Sequence, residues 1–291
     1  MSTHTITFGK HKGTPLSKMP HGYLKWMLSI ERRDPGSFVG RYVSENREAI
    51  DAVLDPRARV AKIKVDYTLS PSQGAAVKQI EADLLMGDEH LYRLEGGAGY
   101  GKSYTVLDVV RLAMHHGYEV HACAVSYVAT QVLCAHLEKY GIEPRTIASQ
   151  IKLAKVELED QESYEVTPDT HDALSAILDR GHLLILDEYS MVGDEHADMM
   201  MEAAHRYGGK LLCVGDLKQL PPEKQNRDSS FSQIPGSVTL TDPMRSSADT
   251  DLDQLELLAR HYPSSICGRD CNGSTEVVAH KSMGSLIDQY M

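Results

Sequence analysis

Residues 91–103 read Leu-Tyr-Arg-Leu-Glu-Gly-Gly-Ala-Gly-Tyr-Gly-Lys-Ser and contain a glycine-rich pattern from which the rest of the sequence can be interpreted. The pattern is Gly96, four intervening residues, and then Gly101-Lys102-Ser103. It predicts a phosphate-binding loop, because the glycines let several backbone N–H groups point at one phosphate chain and the following helix adds its positive end. The alternative is a glycine-rich turn that only precedes a helix.

The segments on either side of this loop have the order that phosphate binding requires. Residues 90–95 predict a strand, and residues 102–116 repeat apolar residues at helical spacing. Lys102 would reach the terminal phosphates, and Ser103 would hold Mg²⁺. We expect the nucleotide to be bound by Gly96, Gly97, Ala98, Gly99, Tyr100, Gly101, Lys102, Ser103 and Tyr104.

A second motif follows an apolar run, since residues 183–188 read Leu-Leu-Ile-Leu-Asp-Glu. The run predicts a buried strand that delivers two carboxylates at the edge where open parallel sheets bind ligands. Asp187 is therefore a candidate Mg²⁺ ligand, and Glu188 is a candidate base for the attacking water. Adjacent acids are common on surfaces, so the preceding strand and the upstream loop are what favour the catalytic interpretation.

Two glutamines are further candidates for the nucleotide site. Residues 211–216 predict another buried strand, and Gln219 in the next loop could sense the terminal phosphate. The structural alternative for that segment is a loop that ends in two prolines. Ser70 and Pro71 predict a helix start. Gln73 in its first turn is either an exposed residue or an adenine-recognition residue.

Four segments, residues 96–103, 187–192, 215–222 and 244–246, resemble the ordered motifs of superfamily 1 DNA helicases of the RecD and Dda type. The resemblance implies a RecA-like P-loop NTPase domain with a parallel sheet, a 5′ to 3′ DNA helicase core, and roles in DNA replication and repair. It implies ATP and Mg²⁺ as cofactors and single-stranded DNA as a partner. It makes Gln73 the adenine reader, Gln219 the residue that couples nucleotide to DNA, and Arg245 a γ-phosphate contact.

The resemblance also indicates where DNA would bind. Ser126, with its neighbour Tyr127, and Thr146 match positions that contact the single-strand backbone. The segment 124–129 lacks the Asn-Lys-Ala that is usual in the family. Residues 155–172 carry seven acidic residues and one lysine, and they predict an exposed acidic hairpin where the family has its strand-separating pin.

The first part of the chain predicts a separate unit. We interpret residues 1–55 as a small basic α+β module, 56–67 as a linker, and 68–291 as the ATPase domain. Phe8-Gly9-Lys10-His11-Lys12-Gly13, with Pro20, Tyr23, Leu24 and Trp26 behind it, resembles the C-terminal module of exonuclease X-type nucleases. We expect Phe8 and Trp26 to form its core. Lys10 and Lys12 are candidate nucleic-acid contacts.

Charge and composition limit the possible partners and locations. The 291 residues carry a net charge of −11, yet residues 1–60 hold ten basic and six acidic residues. Nucleic-acid contact by the acidic remainder must therefore be confined to a local groove. No apolar run has membrane length, and five scattered cysteines are typical of a reducing compartment. We expect a cytoplasmic protein without a membrane partner, in a bacterial cell or a phage-infected host.

The sequence after Arg245 does not match the second motor domain of these helicases, so we expect half of a motor. One hypothesis is the ATP-binding lobe of a helicase, whose second lobe comes from another polypeptide or from sequence outside these 291 residues. The other hypothesis is a standalone nucleotide-dependent DNA-binding or interaction module that does not unwind DNA. The first predicts an ATP-dependent helicase whose isolated half has weak ATPase activity.

Overall fold

The computed structural model describes residues 4–19, 21–158, 161–216 and 230–244, together with the backbone of 267–269 and 275–277. Its strands are β1 (Leu91–Glu95), β2 (Glu119–Ala124), β3 (Arg145–Thr146), β4 (Ala154–Leu158), β5 (Gln161–Glu165), β6 (His182–Asp187), β7 (Lys210–Gly215), β8 (Ser237–Thr239), β9 (Cys267–Arg269) and β10 (Thr275–Val277). Its helices are α1 (His21–Arg33), α2 (Phe38–Glu45), α3 (Arg47–Leu54), α4 (Pro56–Val60), α5 (Pro71–Ile80), α6 (Lys102–His115), α7 (Tyr127–Leu137), α8 (Ile147–Gln150), α9 (Pro168–Ile177) and α10 (Asp194–Tyr207).

Six strands form a parallel sheet in the order β3-β2-β6-β7-β1-β8. Strand β7 lies between β1 and β6, so the strand that leads into the phosphate loop is only one strand away from the strand that ends at Asp187. Helices flank the sheet, which confirms the predicted α/β fold of a RecA-like P-loop NTPase.

The central strands are apolar because helices cover both of their faces. Leu183, Leu184, Ile185 and Leu186 of β6 are fully buried. One face packs against α5 and α6, through residues such as Ile80 and Val110. The other packs against α9 and α10. A strand that is buried on both sides has no polar face, which is why β6 reads as a continuous hydrophobic run.

Helix α5 begins as predicted, with Ser70 as its N-cap and Pro71 in its first turn. The Ser70 hydroxyl accepts a hydrogen bond from the Gln73 N–H, and the Gln73 side chain accepts one from the Ser70 N–H at 2.8 Å. This capping box satisfies two backbone donors at the helix start. It also fixes the direction in which the Gln73 side chain leaves the helix.

The N-terminal segment has a small core of its own. Helices α1, α2 and α3 surround a cluster of buried residues, and a single antiparallel bridge joins Thr5 to Pro15. Phe8 packs against this cluster, as expected. The expectation for Trp26 was wrong, because its side chain is 45% exposed. The buried positions of α1 are Leu24 and Met27 instead.

The stretch interpreted as a linker begins with helix α4. Asp55 caps this helix by accepting a hydrogen bond from the Arg57 N–H at 2.9 Å, and Pro56 occupies its first turn. Val60 is buried in the core of the larger domain, and Arg59 forms a 3.0 Å ion pair with Glu119. Irregular backbone follows over residues 63–70. The N-terminal part of the linker is thus packed against the sheet domain.

The acidic stretch contains the expected hairpin. Strands β4 and β5 pair in antiparallel register from Ala154↔Glu165 to Leu158↔Gln161. Helix α9 starts at Pro168, so residues 168–172 belong to that helix and the hairpin is shorter than predicted. Among the described helices, none has the length and apolar character that crossing a bilayer requires.

Two histidines lie side by side on β2 and β6. His121 Nε2 is 3.1 Å from His182 Nδ1, and the rings stack with centroids 5.2 Å apart. Burial, followed by the neighbouring His182 and Lys25, lowers the pKa of His121 to about 4, although Glu119 opposes the shift. The unfolded chain therefore binds more protons between about pH 6.5 and pH 4, and the contribution of His121 to stability is lost as the pH falls through this window.

We expect the contribution of His121 to the free energy of unfolding to fall by about 2 kcal/mol between pH 7 and pH 5. Urea denaturation of the wild type and of His121→Gln at both pH values measures it, and the variant should lose about 1–2 kcal/mol less than the wild type. His171→Gln, which removes an exposed histidine, is the matched control and should behave like the wild type. Equal losses in all three proteins would contradict the assignment.

Candidate active site

The phosphate loop connects β1 to α6 and places its glycines where a side chain would not fit. Gly99 and Gly101 have positive φ angles of 79° and 76°. A Cβ atom on Gly101 would also collide with the amide of Gln73. Because Gly101 is the N-cap of α6, the loop ends at the positive end of that helix. The loop thus has the backbone geometry and the dipole that bind phosphate.

Lys102 stands at the first helical position and folds back over the loop. Its Nζ donates hydrogen bonds to the carbonyl oxygens of Gly96 at 2.7 Å and Gly97 at 3.1 Å. These contacts hold the ammonium group above the loop where it would meet a terminal phosphate. Ser103 follows on the same helix turn, and both residues line the adjacent cleft.

The cleft has a volume of about 600 Å³ and brings together most of the predicted nucleotide residues. The phosphate loop forms one wall, the two carboxylates at the end of β6 form another, and α7 forms a third. Tyr100 does not line it, because its ring packs against the core instead. The residues that line it are Gly97, Ala98, Gly99, Gly101, Lys102, Ser103, Tyr104, Ala129, Val132, His136, Asp187, Glu188, Gly215 and Met244.

The Asp187 carboxylate has a shifted pKa and a hydrogen bond to the residue that follows it. Burial raises the pKa of Asp187 to about 6, and the neighbouring Glu188 adds to this, whereas the Glu188 N–H and the Lys102 ammonium oppose it. The Asp187 carboxylate accepts a hydrogen bond from the Glu188 N–H at 3.0 Å. Glu188 has a left-handed backbone with φ 55°. This conformation is strained for a residue with a side chain, and such strain is concentrated at functional sites.

The oxygen atoms of Ser103 and Asp187 fit a magnesium ion in their chemistry. Mg²⁺ prefers hydroxyl, carboxylate and phosphate oxygens, and it is held by one or two carboxylates together with a nucleotide. A cation beside Asp187 would also relieve the burial of its charge. Within the described part of the chain, no group of three or more His, Cys, Asp or Glu side chains is arranged to hold a metal ion.

Gln73 is buried, with only 1% of its surface exposed. The alternative that it is an exposed residue of the first helical turn is therefore wrong. Its amide joins the start of α5 to the phosphate loop, because Nε2 donates a 3.0 Å hydrogen bond to the Gly101 carbonyl. One amide hydrogen and one lone pair remain for a further partner. Adenine recognition by Gln73 stays a prediction.

Tyr104 stands at the mouth of the cleft with 48% of its side chain exposed. Its ring lies between those of Tyr67 and His136, with centroid distances of 5.5 and 6.2 Å. A half-exposed ring next to the phosphate loop offers a surface on which a nucleobase could stack.

Two predicted site residues, Gln219 and Arg245, lie outside the described residues. The described residues nearest to them in the chain, Gly215 and Met244, nevertheless reach the cleft. Gly215 at the end of β7 lines it, and the Met244 N–H donates a 2.8 Å hydrogen bond to the carbonyl of Gly99. This contact of Met244 with the loop was not predicted from the sequence.

The predicted DNA contacts lie at the carboxyl ends of β2 and β3. Ser126 caps α7 and Thr146 caps α8, and Ala124 pairs with Thr146 in the sheet. Tyr127 is 70% exposed beside Ser126. The structure thus brings these residues to one edge, and their contact with DNA stays a prediction. Lys10 and Lys12 belong to the N-terminal module and do not line the cleft.

A buried polar network that the sequence did not indicate connects the two motifs. Glu95 directly precedes the phosphate loop, and its carboxylate accepts hydrogen bonds from the Tyr189 hydroxyl and from Arg93 Nη1 at 2.9 Å. Tyr189 directly follows Glu188 in the chain. Arg93 Nε also donates to the Ile234 carbonyl at 3.1 Å, next to β8. The network therefore fixes the position of Glu188 relative to the phosphate loop.

Residues 68–268, more than half of the chain, match a protein family described as an AAA domain. A curated relative is the uncharacterized protein R530 of Acanthamoeba polyphaga mimivirus, which is 24% identical over 173 residues. The aligned part is 54% of this chain and 35% of that protein. The chain thus spans about a third of the length of this relative.

The solved structures that are similar to the chain include the following two. One is the PRRSV helicase, with a TM-score of 0.30 and 15% identity over 56% of this chain and 32% of that one. The other is the large terminase from a thermophilic bacteriophage, with a TM-score of 0.39 and 11% identity over 66% of this chain and 50% of that one.

Removal of the Tyr189 hydroxyl tests the buried network. We expect Tyr189→Phe to lower the free energy of unfolding by about 1.5–3 kcal/mol, because the lost hydrogen bond was made to a buried carboxylate. Tyr118→Phe, which loses a 2.8 Å hydrogen bond to the Leu85 carbonyl, is the matched control and should lose about 1 kcal/mol. Chemical denaturation measures both. The network is not as described if Tyr189→Phe is the milder change.

Proposed function

The chain belongs to the AAA domain family and contains a P-loop ATPase domain, and from this premise we propose that residues 68–291 are the ATP-binding motor lobe of a DNA helicase. The lobe couples ATP hydrolysis to movement along single-stranded DNA. The observation that carries the proposal is the cleft in which Lys102 and Ser103 face Asp187 and Glu188 across strand β7.

ATP occupies the cleft with its phosphates on the loop. The N–H groups of the loop and the Lys102 ammonium bind the β- and γ-phosphates. Ser103 and Asp187 would hold Mg²⁺, which would supply positive charge to the phosphates when it is bound. The Glu188 carboxylate orients the attacking water and accepts its proton.

The base of the nucleotide lies on the side of Gln73 and Tyr104. The amide of Gln73 has one donor and one acceptor position left after its contacts with Ser70 and Gly101, which is what the edge of adenine requires. The half-exposed ring of Tyr104 provides a stacking surface at the mouth of the cleft.

Gln219 and Arg245 respond to the terminal phosphate. Arg245 contacts the γ-phosphate, and the hydrogen bond between Met244 N–H and the Gly99 carbonyl supports this role because it holds the preceding residue against the loop. Gln219 couples the nucleotide to DNA, and the support for this role is that Gly215, four residues earlier in the chain, lines the cleft wall.

The DNA strand crosses the carboxyl edge of the sheet. Ser126 and Thr146 contact its backbone and Tyr127 stacks on a base, which is consistent with the 70% exposure of the Tyr127 side chain. The β4–β5 hairpin follows α8 directly and acts as the pin that separates the strands. This groove is local, as the acidic charge of the larger part requires.

Unwinding requires a second lobe, which comes from elsewhere in a longer protein or from another chain. A helicase moves when two lobes close on ATP, and closure brings an arginine from the second lobe to the γ-phosphate. Such an arginine contributes about 10³ to 10⁵ in rate in related phosphoryl-transfer systems. A single lobe therefore binds ATP and single-stranded DNA but hydrolyses ATP slowly.

A strand-displacement assay on a 5′-tailed duplex, run together with an ATPase assay, tests the half-motor proposal. We expect the purified 291 residues to displace no strand and to hydrolyse ATP slowly. Glu188→Gln removes the base while leaving the metal ligand in place, so the residual ATPase should disappear in this control.

Robust unwinding by the 291 residues alone would contradict the half-motor proposal. An ATPase rate that Glu188→Gln leaves unchanged would remove Glu188 from the mechanism. Nucleotide-dependent DNA binding with no stimulation by any second lobe would instead favour a standalone binding module.

A further inference from the structure

The N-terminal module carries a row of three aromatic rings beside a basic loop, in which Trp26 is exposed and Tyr23 and His11 are half-buried. Trp26 is 45% exposed on α1, and its ring lies 5.1 Å from that of Tyr23 at an angle of 38°. His11 continues the row, with its ring 4.6 Å from that of Tyr23. An exposed tryptophan in such a row is not explained by packing, because the core positions of α1 are Leu24 and Met27.

Two lysines flank this row of rings. Lys10 and Lys12 lie on either side of His11 in the chain, and both are exposed. None of the carboxylates in the described part of the chain forms an ion pair with either of them, whereas Lys25 on α1 pairs with Glu119 at 2.6 Å. We call Lys10, His11, Lys12, Tyr23 and Trp26 the aromatic–basic strip.

The loop holds these lysines in a fixed position. Gly13 N–H donates a 2.7 Å hydrogen bond to the Ile6 carbonyl, and Ile6 N–H donates a 2.9 Å hydrogen bond to the Thr14 carbonyl. Gly9 has φ 66°, and a Cβ atom there would lie 3.2 Å from the Tyr23 hydroxyl. The loop is therefore pressed against the ring row, which presents the two charges at one end of it.

The strip continues along α1 with a further cation. Tyr23, Trp26 and Arg33 are spaced by three and seven residues, which places them on one face of the helix. The helix rise makes this face about 15 Å long from Tyr23 to Arg33. Glu31 of the same helix does not oppose the charge, because it pairs with Arg47 at 2.9 Å.

We propose that the aromatic–basic strip binds single-stranded nucleic acid, with a base stacked on Trp26 and the adjoining phosphates bound by Lys10 and Lys12. Stacked rings next to cations are the combination that single-strand binding uses, since every base has a π-face and every nucleotide has a phosphate. A duplex does not fit, because its bases are already stacked on one another. The excess of basic over acidic residues in 1–60 gives the strip the charge complementarity that the acidic larger part lacks.

This site is independent of the proposed motor lobe and can be tested without nucleotide. The chain has a single tryptophan, so its selectively excited emission reports on the strip alone. We expect oligo(dT) and oligo(rU), added to the full 291-residue chain without ATP, to quench this emission in a salt-dependent manner. A blunt duplex of equal length should not. A difference between the two oligonucleotides identifies DNA or RNA as the natural ligand.

Substitutions separate the charges from the ring. Lys10→Ala combined with Lys12→Ala should weaken the binding measured by quenching by about 20-fold at roughly 0.1 M salt. The slope of the logarithm of the binding constant against the logarithm of the salt concentration should become shallower by about 1.4. Lys62→Ala combined with Lys78→Ala removes the same charge from exposed positions outside the strip and serves as the matched control. It should leave the binding and the slope unchanged.

Trp26→Ala tests stacking through the anisotropy of a labelled oligonucleotide, measured in a chain that also carries Tyr127→Ala, which removes the stacking residue proposed for the strand track of the motor lobe. Trp26→Ala should weaken binding by about 5- to 150-fold, and Trp26→Phe should restore most of the loss because it keeps a π-face. Circular dichroism should show both variants folded, as expected for an exposed position. Three results would overturn the proposal: oligonucleotide binding that leaves the tryptophan emission unchanged, equal quenching by the duplex, or equal effects of the two pairs of lysine substitutions. None of these results would bear on ATP binding at Lys102.

Discussion

The sheet order is the constraint on which the active site depends. Because β1, β7 and β6 are parallel neighbours, their carboxyl ends meet at one edge, and the chemistry that each strand delivers is brought within one cleft. The phosphate loop leaves β1, and Asp187 and Glu188 end β6. A different strand order or register in this sheet would leave each sequence motif unchanged but would separate the motifs in space.

Charge at this edge is controlled by burial and by a few fixed hydrogen bonds. Burial raises the pKa of Asp187 to about 6, which makes the carboxylate a strong partner for a cation. Behind it, Arg93 and Glu95 form an ion pair that compensates two charges that would otherwise be expensive to bury, and the Tyr189 hydroxyl donates a further hydrogen bond to Glu95. The same contacts link the residue before the phosphate loop to the residue after Glu188. This buried network therefore connects the two sides of the site below the floor of the cleft.

The sequence was sufficient to predict the structure of those segments that short-range patterns determine. The apolar run of β6, the phosphate loop and the helix start at Ser70 each depend on a few consecutive residues, and all three lie where they were expected. Helix α4 lies where the sequence predicts a linker: Asp55 and Pro56 carry a helix-start signal, but the basic residues after them have no long apolar face.

Other features depend on contacts between residues far apart in the chain, which no local pattern reveals. Trp26 was expected in the small core, but the rotation of α1 is set by Leu24 and Met27 packing against the rest of the module. Gln73 is buried because Gly101, 28 positions later, lies against it. Tyr189 reaches Glu95 across the sheet, so the sequence around either residue does not predict the pair.

The most direct test of the account is a calorimetric titration of ATP with Mg²⁺ into the 291-residue chain and into Lys102→Ala. Lys78→Ala, an exposed lysine on α5, is the control for the loss of charge alone. We expect the wild type and the control to bind one nucleotide equally well and Lys102→Ala to lose at least about tenfold in affinity, which is the effect of removing a hydrogen bond to a charged group. Equal affinity of all three proteins for ATP would contradict it.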